Sequence, residues 1–82
     1  MLYRAQVIIK LKNGILDPEA ATIQRALMHL GYDCQSVAQA AIYELEFHAD
    51  SLDTATSLAH GMCEKLLANP IIHDYDIKLD YS

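Results

Sequence analysis

The chain has 82 residues, of which 52% are hydrophobic and 21% charged, with six Lys+Arg against eleven Asp+Glu for a net charge of −5. That composition is one globular domain spanning residues 1–82, too short for two and too apolar to be disordered. The cations are scattered, which excludes a nucleic-acid interface, and no apolar stretch approaches the ~20 residues that cross a bilayer.

Residues 2–12 alternate, with Tyr3, Ala5, Val7, Ile9 and Leu11 on one side and Arg4, Gln6, Ile8, Lys10 and Lys12 on the other. Period two with β-branched centres predicts a strand buried on one face. Asn13-Gly14 breaks it. Asp17 can cap a helix that opens on Pro18, and Glu19 complements the dipole in the first turn. Ala20, Ile23, Ala26, Leu27 and Leu30 form its apolar stripe, and Gly31 ends it.

A second strand region is expected from about Ser36 to His48, bent or split near Val37 to Ala41, with Ala41, Tyr43, Leu45 and Phe47 inward. Asp50 or Ser51 caps a second helix, whose stripe is Leu52, Ala55, Ala59, Met62 and Leu66, widened by Leu58, Cys63 and Leu67. Pro70 ends it at Asn69, and Gly61 inside it costs roughly 1 kcal/mol relative to alanine, which close packing against a neighbour would explain. Tyr75, Ile77, Leu79 and Tyr81 alternate with acids and a lysine in a terminal strand.

The fold class is therefore α+β: a two-layer sandwich in the order strand–helix–strand(s)–helix–strand, mainly antiparallel, with both helices on one face of the sheet. The other face mixes Arg4 and Lys10 with Glu44, Glu46, Asp76 and Asp80 around Ile8 and Ile42. Such a face, with open edge strands, suits pairing with another copy, and a core this small gains from oligomerisation.

Little chemistry is visible. His60, Cys63 and Glu64 have ligand-like helical spacing, but Cys63 falls on the apolar stripe, so a surface His–Glu pair beside a core cysteine is the better reading. His29 reads as a C-terminal helix charge, and His48 and His73 as solvated. Cys34 and Cys63 lie 29 residues apart without a CxxC, as reduced thiols do. Three glycines build no phosphate cradle, and no nucleophile motif occurs. No catalytic residue and no metal site is assigned. No basic segment followed by an apolar one opens the chain, so a cytoplasmic location is expected.

Two blocks go beyond generic pattern: Leu11-Lys12-Asn13-Gly14-Ile15-Leu16-Asp17-Pro18 and Cys63-Glu64-Lys65-Leu66-Leu67-Ala68-Asn69-Pro70-Ile71-Ile72-His73-Asp74-Tyr75. With Ala26-Leu27, Leu30-Gly31-Tyr32 and Tyr43-Glu44-Leu45 between them, the whole chain resembles the PurS family, the small subunit of phosphoribosylformylglycinamidine synthase (FGAM synthase). It departs from that family where a VRVGK stretch precedes the central strand. Here Val37-Ala38-Gln39-Ala40-Ala41 stands in its place, so the family's arginine, glycine and lysine are not carried over.

The resemblance implies a non-catalytic subunit of an ATP- and glutamine-dependent ligase in purine biosynthesis. Its partners would be itself, as a dimer or tetramer, together with the synthetase subunit PurL and the glutaminase subunit PurQ, but no nucleic acid and no membrane. Cofactors are expected in the complex, as ATP and Mg, and none in this chain. Two loops are the partner-interface candidates. The first is Lys12, Asn13, Gly14, Ile15 and Leu16, where Ile15 and Leu16 either meet a partner or staple over the first helix. The second is Asn69, Ile71, Ile72 and Tyr75, with one isoleucine in the core and Tyr75 the stronger contact. A small dimeric ligand-binding regulatory domain is the alternative, and a stand-alone enzyme built on His60, Cys63 and Glu64 a third reading.

Overall fold

A computed structural model describes residues 1–81. Three strands, β1 (Leu2–Leu11), β2 (Ala40–His48) and β3 (His73–Tyr81), form an antiparallel sheet in the order β2-β1-β3. Two helices, α1 (Pro18–His29) and α2 (Leu52–Met62), follow β1 and β2, so the α+β class and the element order stand as read from the sequence. β1 is central because its inward residues are the most apolar: Tyr3, Ala5, Val7 and Ile9 are all buried. Its register pairs Val7 with Tyr43 on one side and Ile77 on the other.

α2 starts at Ser51, whose hydroxyl accepts from the Thr54 N–H at 3.2 Å. It lays Ala55 and Ala59 on the sheet, where small side chains let helix and strands approach closely. One cluster joins Val7, Ile9, Cys63 and Ala68, and a second joins Tyr3, Ala49 and Ala55.

The apolar stripe of α2 does not run on as expected. Its last turn, Cys63–Leu67, is a π-turn, closed by the Ala68 N–H donating to the Cys63 carbonyl at 2.8 Å. The extra residue rotates the face by about 100°. Cys63 keeps its expected place in the core, and Leu66, read as part of the stripe, stands 84% exposed. Helical structure stops at Leu67 rather than Asn69.

α1 departs further. Asp17 accepts from the Ala20 N–H at 3.1 Å, and Pro18 opens the helix. At the other end Gly31 takes φ +97°, with the Tyr32 and Gly31 N–H groups donating back to Leu27 and Met28, a Schellman ending. The helix forms as its caps dictate, but it does not join α2 on the sheet. Element contacts link β1 to β2, β1 to β3, and α2 to its π-turn and β3, while α1 has none comparable among the described residues.

Instead α1 prolongs the long axis of the sheet. A 10-residue strand and a 12-residue helix placed end to end span about 51 Å, close to the longest dimension of 52 Å. The segment 32–39 runs back beside it, so β2 begins at Ala40 rather than Ser36. Gln24 Nε2 donates to the Cys34 carbonyl at 2.8 Å, and Gln39 Nε2 lies 3.4 Å from both Asp17 oxygens. These bonds turn the Ala20–Gln24–Leu27 side of α1 toward its own return segment. Ile23, Ala26 and Leu30 are left bare, Leu30 at 73% exposure.

Candidate functional site

The two candidate loops lie far apart in sequence and meet at one end of the sheet. β1 pairs Leu11 with His73 and Lys10 with Asp74, and just beyond the ladder the Lys12 N–H donates to the Ile72 carbonyl at 2.9 Å. Asn69 organises the second loop: its side-chain oxygen accepts from the Ile71 N–H, and its own N–H donates to His73 Nδ1 at 2.9 Å. His73 is thus the first residue of β3 and half-buried, not a solvated turn residue. A ring nitrogen that accepts carries no proton, so the His73 proton sits on Nε2.

Of the candidates, Asn13, Gly14, Ile15, Leu16, Asn69 and Ile71 are exposed, and Lys12, Ile72 and Tyr75 are half-buried. Leu16 is 76% exposed, so it does not staple over α1, and Ile71 is 81% exposed while Ile72 turns inward. Two large apolar side chains, Leu16 and Ile71, therefore face solvent around one end of the sheet. A cleft of about 510 Å³ beside them is bounded by Lys12, Ile15, Leu16, Gln24, Val37 and Gln39, joining the first loop to the α1 return segment.

Tyr75 is tied into the fold. Its hydroxyl donates to Glu64 Oε1 at 3.2 Å and lies 3.2 Å from His60 Nδ1, with the His60 ring edge-on at 5.8 Å. Burial first, then the Glu64 charge and hydrogen bond, push its pKa up. The expected His60–Glu64 surface pair is thus a three-member group that pins α2 and its π-turn to β3. Cys63 points the other way, into the core, so it shares no ligand cluster with His60 and Glu64.

Sequence reasoning missed an apolar groove between α2 and β2. Leu45, Leu58, Gly61, Met62, Leu66 and Leu67 bound a cleft of about 520 Å³. Along the same strip Ala41 and Tyr43 of β2, expected to be inward, are exposed because no helix covers them. Gly61 lines this groove, and its lack of a side chain predicts a close neighbour. Within this chain no neighbour lies within 4 Å of where its Cβ would be.

Comparison with known proteins agrees with this geometry. The family model for PurS, phosphoribosylformylglycinamidine (FGAM) synthase, matches residues 4–81. The chain is similar to the phosphoribosylformylglycinamidine synthase subunit PurS of Methanothermobacter thermautotrophicus, 41% identical over 98% of this chain and 95% of that one. It is also similar to that of Methanocaldococcus jannaschii, at 44% over 96% of each. The crystal structure of M. jannaschii PurS superposes with a TM-score of 0.83 over 98% of both chains. A chain in a structure of PurLQS from Thermotoga maritima shares the fold, with a TM-score of 0.85 at 23% identity. Agreement across the full length, in sequence and in fold, places this chain in the PurS family, a subunit of FGAM synthase in purine biosynthesis.

Proposed function

We propose that this chain is the non-catalytic bridging subunit of an FGAM synthase. It self-associates and holds a PurQ glutaminase against a PurL synthetase, so that ammonia released from glutamine reaches formylglycinamide ribonucleotide. The synthetase uses ATP and Mg, and this chain binds neither. The products are formylglycinamidine ribonucleotide, ADP, phosphate and glutamate. The complex works in the cytoplasm.

The observation that carries this reading is the match over residues 4–81 to a family described by that activity, and a T. maritima relative of the same fold is described together with L and Q subunits. The physical need is plain. Free ammonia is lost to protonation and diffusion unless its source and its acceptor are held together, and tethering turns an encounter into an effectively intramolecular delivery. The exposed Leu16 and Ile71 at one end of the sheet supply apolar anchors for such a partner, and Lys12, Asn13 and Asn69 a polar rim.

The test is glutamine-dependent synthesis by the purified synthetase and glutaminase of the same organism, with and without this chain. Activity with ammonium salts should be unchanged by the chain, and activity with glutamine should require it. A full glutamine-dependent rate in its absence overturns the reading. Ile15→Asp with Leu16→Asp should weaken binding of the partner enzymes about 100-fold or more while circular dichroism stays that of the folded chain.

A further inference from the structure

We infer that His73 is a proton-sensitive latch on the loop 69–72, closed while its ring is neutral and released when the ring takes a second proton. The latch is a property of this chain alone, and its effect on partner enzymes rests on the reading above. Its closure, its surroundings and its load all point to it.

The loop is closed reciprocally. The His73 N–H donates to the Asn69 carbonyl at 2.8 Å, and the Asn69 N–H donates to His73 Nδ1 at 2.9 Å. The Ile72 N–H shares the Asn69 carbonyl at 3.0 Å, and the Asn69 side-chain oxygen accepts from the Ile71 N–H at 3.0 Å. Asn69 is thus the hub of the loop, and its own N–H is satisfied by the imidazole. A backbone N–H can only donate, so that bond needs a free lone pair on Nδ1. It is the one bond of the set that a proton at neutral to mildly acid pH can break. Protonation there sets donor against donor and pushes the Asn69 peptide, with the two bonds its carbonyl accepts, away from the ring.

The surroundings leave the ring free to respond. Lys10 and Lys12 of β1, Tyr43 of β2, Asp74, Tyr75 and Asp76 of β3, and Asp17 ahead of α1 bound the clefts on its two sides. The π-turn adds only Leu67, which does not titrate. Two ammonium groups stand against three carboxylates, so neither charge dominates. Among the described residues the only ion pair joins Arg4 to Glu46, so no carboxylate grips the ring. His73 is half-buried, and water reaches it.

The load is Ile71, 81% exposed between two fixed feet. On one side the Ala68 N–H closes the π-turn, and on the other the Lys12–Ile72 bond and the Leu11–His73 pair tie the chain to β1. Opening the latch therefore frees the stretch around Ile71 and leaves the sheet intact. Acidification loosens an apolar anchor without unfolding the domain.

The test is nitrogen-15 relaxation of the loop amides in the whole chain, recorded while NMR follows protonation of the His73 ring. With the ring neutral, Asn69, Ile71 and Ile72 should show order parameters of about 0.85, and with it protonated they should fall below about 0.6. His73→Asn puts an amide oxygen in the place of Nδ1, an acceptor that does not titrate, and its loop should stay rigid throughout. His73→Phe offers no acceptor, and its loop should be loose throughout. A loop that keeps its order while the ring titrates overturns the inference, and so does an Asn variant that loosens as the parent does. If the Phe variant fails to fold, the comparison of parent with Asn variant decides. Binding of the partner enzymes, taken as the ratio of parent to His73→Asn, should weaken about tenfold over the same interval. A loop that opens while this ratio stays constant upholds the latch and moves the partner contact off the loop. The bridging role is judged separately, by glutamine-dependent synthesis.

Discussion

α1 and α2 are near twins in sequence terms and opposites in the structure. Each is about eleven residues long, begins at a side-chain cap, carries an acid in its first turn and a histidine in its last, and is amphipathic. α2 buries Ala55, Ala59 and, through its π-turn, Cys63, whereas α1 buries Ala20 alone. The connections make the difference. Ala49–Ser51 is a short corner, fixed by hydrogen bonds between Met1 and Ala49, that folds α2 straight back over the sheet. The six residues between β1 and α1 let the helix leave along the sheet axis instead. Helical periodicity reports that a face is apolar, and says nothing about what covers it.

The largest contrast should come from removing bulk beneath each helix. Tyr3 is 1% exposed under the N-terminal half of α2, and Tyr3→Ala should cost about 3–5 kcal/mol, a loss of the order of the whole stability of a domain this small. Leu30→Ala, measured by urea unfolding at a dilution where sedimentation shows single protomers, should cost under about 0.5 kcal/mol. Equal losses would mean that α1 packs on its own sheet.

The caps sharpen the same contrast. Ser51→Ala and Asp17→Ala each remove one bond to a helix N–H, worth about 1 kcal/mol. Because α2 is part of the core, Ser51→Ala should lower the global urea midpoint. In dilute Asp17→Ala the loss should stay local: amide exchange in α1 speeds up about fivefold and the midpoint holds.

A smaller effect separates the two cysteines. Burial, with the Glu64 charge behind it, pushes the Cys63 thiol above its ordinary value of 9.0. The folded state therefore favours the protonated thiol. Its contribution is fully present below pH 9.0 and is lost as pH rises through the higher folded value. Cys63→Ala should remove part of the alkaline destabilisation. With an aromatic disulfide reagent at pH 8, the half-buried Cys34 should react in the native state and Cys63 only at the rate of unfolding.

Much of this was legible in the residues. Alternation alone placed β1 and β3, and Asp17, Pro18, Gly31 and Ser51 marked the helix ends they in fact mark. What escaped was relational. Residues 36–39 have extended-chain composition, but the Gln39 and Asp17 side chains fasten that segment to α1 rather than to a strand. CEKLL reads as ordinary helix, and nothing in it announces the π-turn that leaves Leu66 outside while Cys63 stays in the core as expected. Of the nine interface candidates, the pattern gave side-chain type and loop position. Only the register of β1 against β3 brings both loops to one end.

Gly61 gives the smallest and most discriminating test. In a single protomer a methyl group there meets nothing within 4 Å, and a helical glycine costs about 0.5–1 kcal/mol relative to alanine. Gly61→Ala should therefore stabilise the dilute chain by that amount, read as a higher urea midpoint. If self-association covers this groove, the gain should shrink or reverse as concentration rises. A gain that stays constant from single protomers to full association would place the contact between copies elsewhere. A gain that fades with association would show that this glycine serves the contact between copies rather than the fold of one.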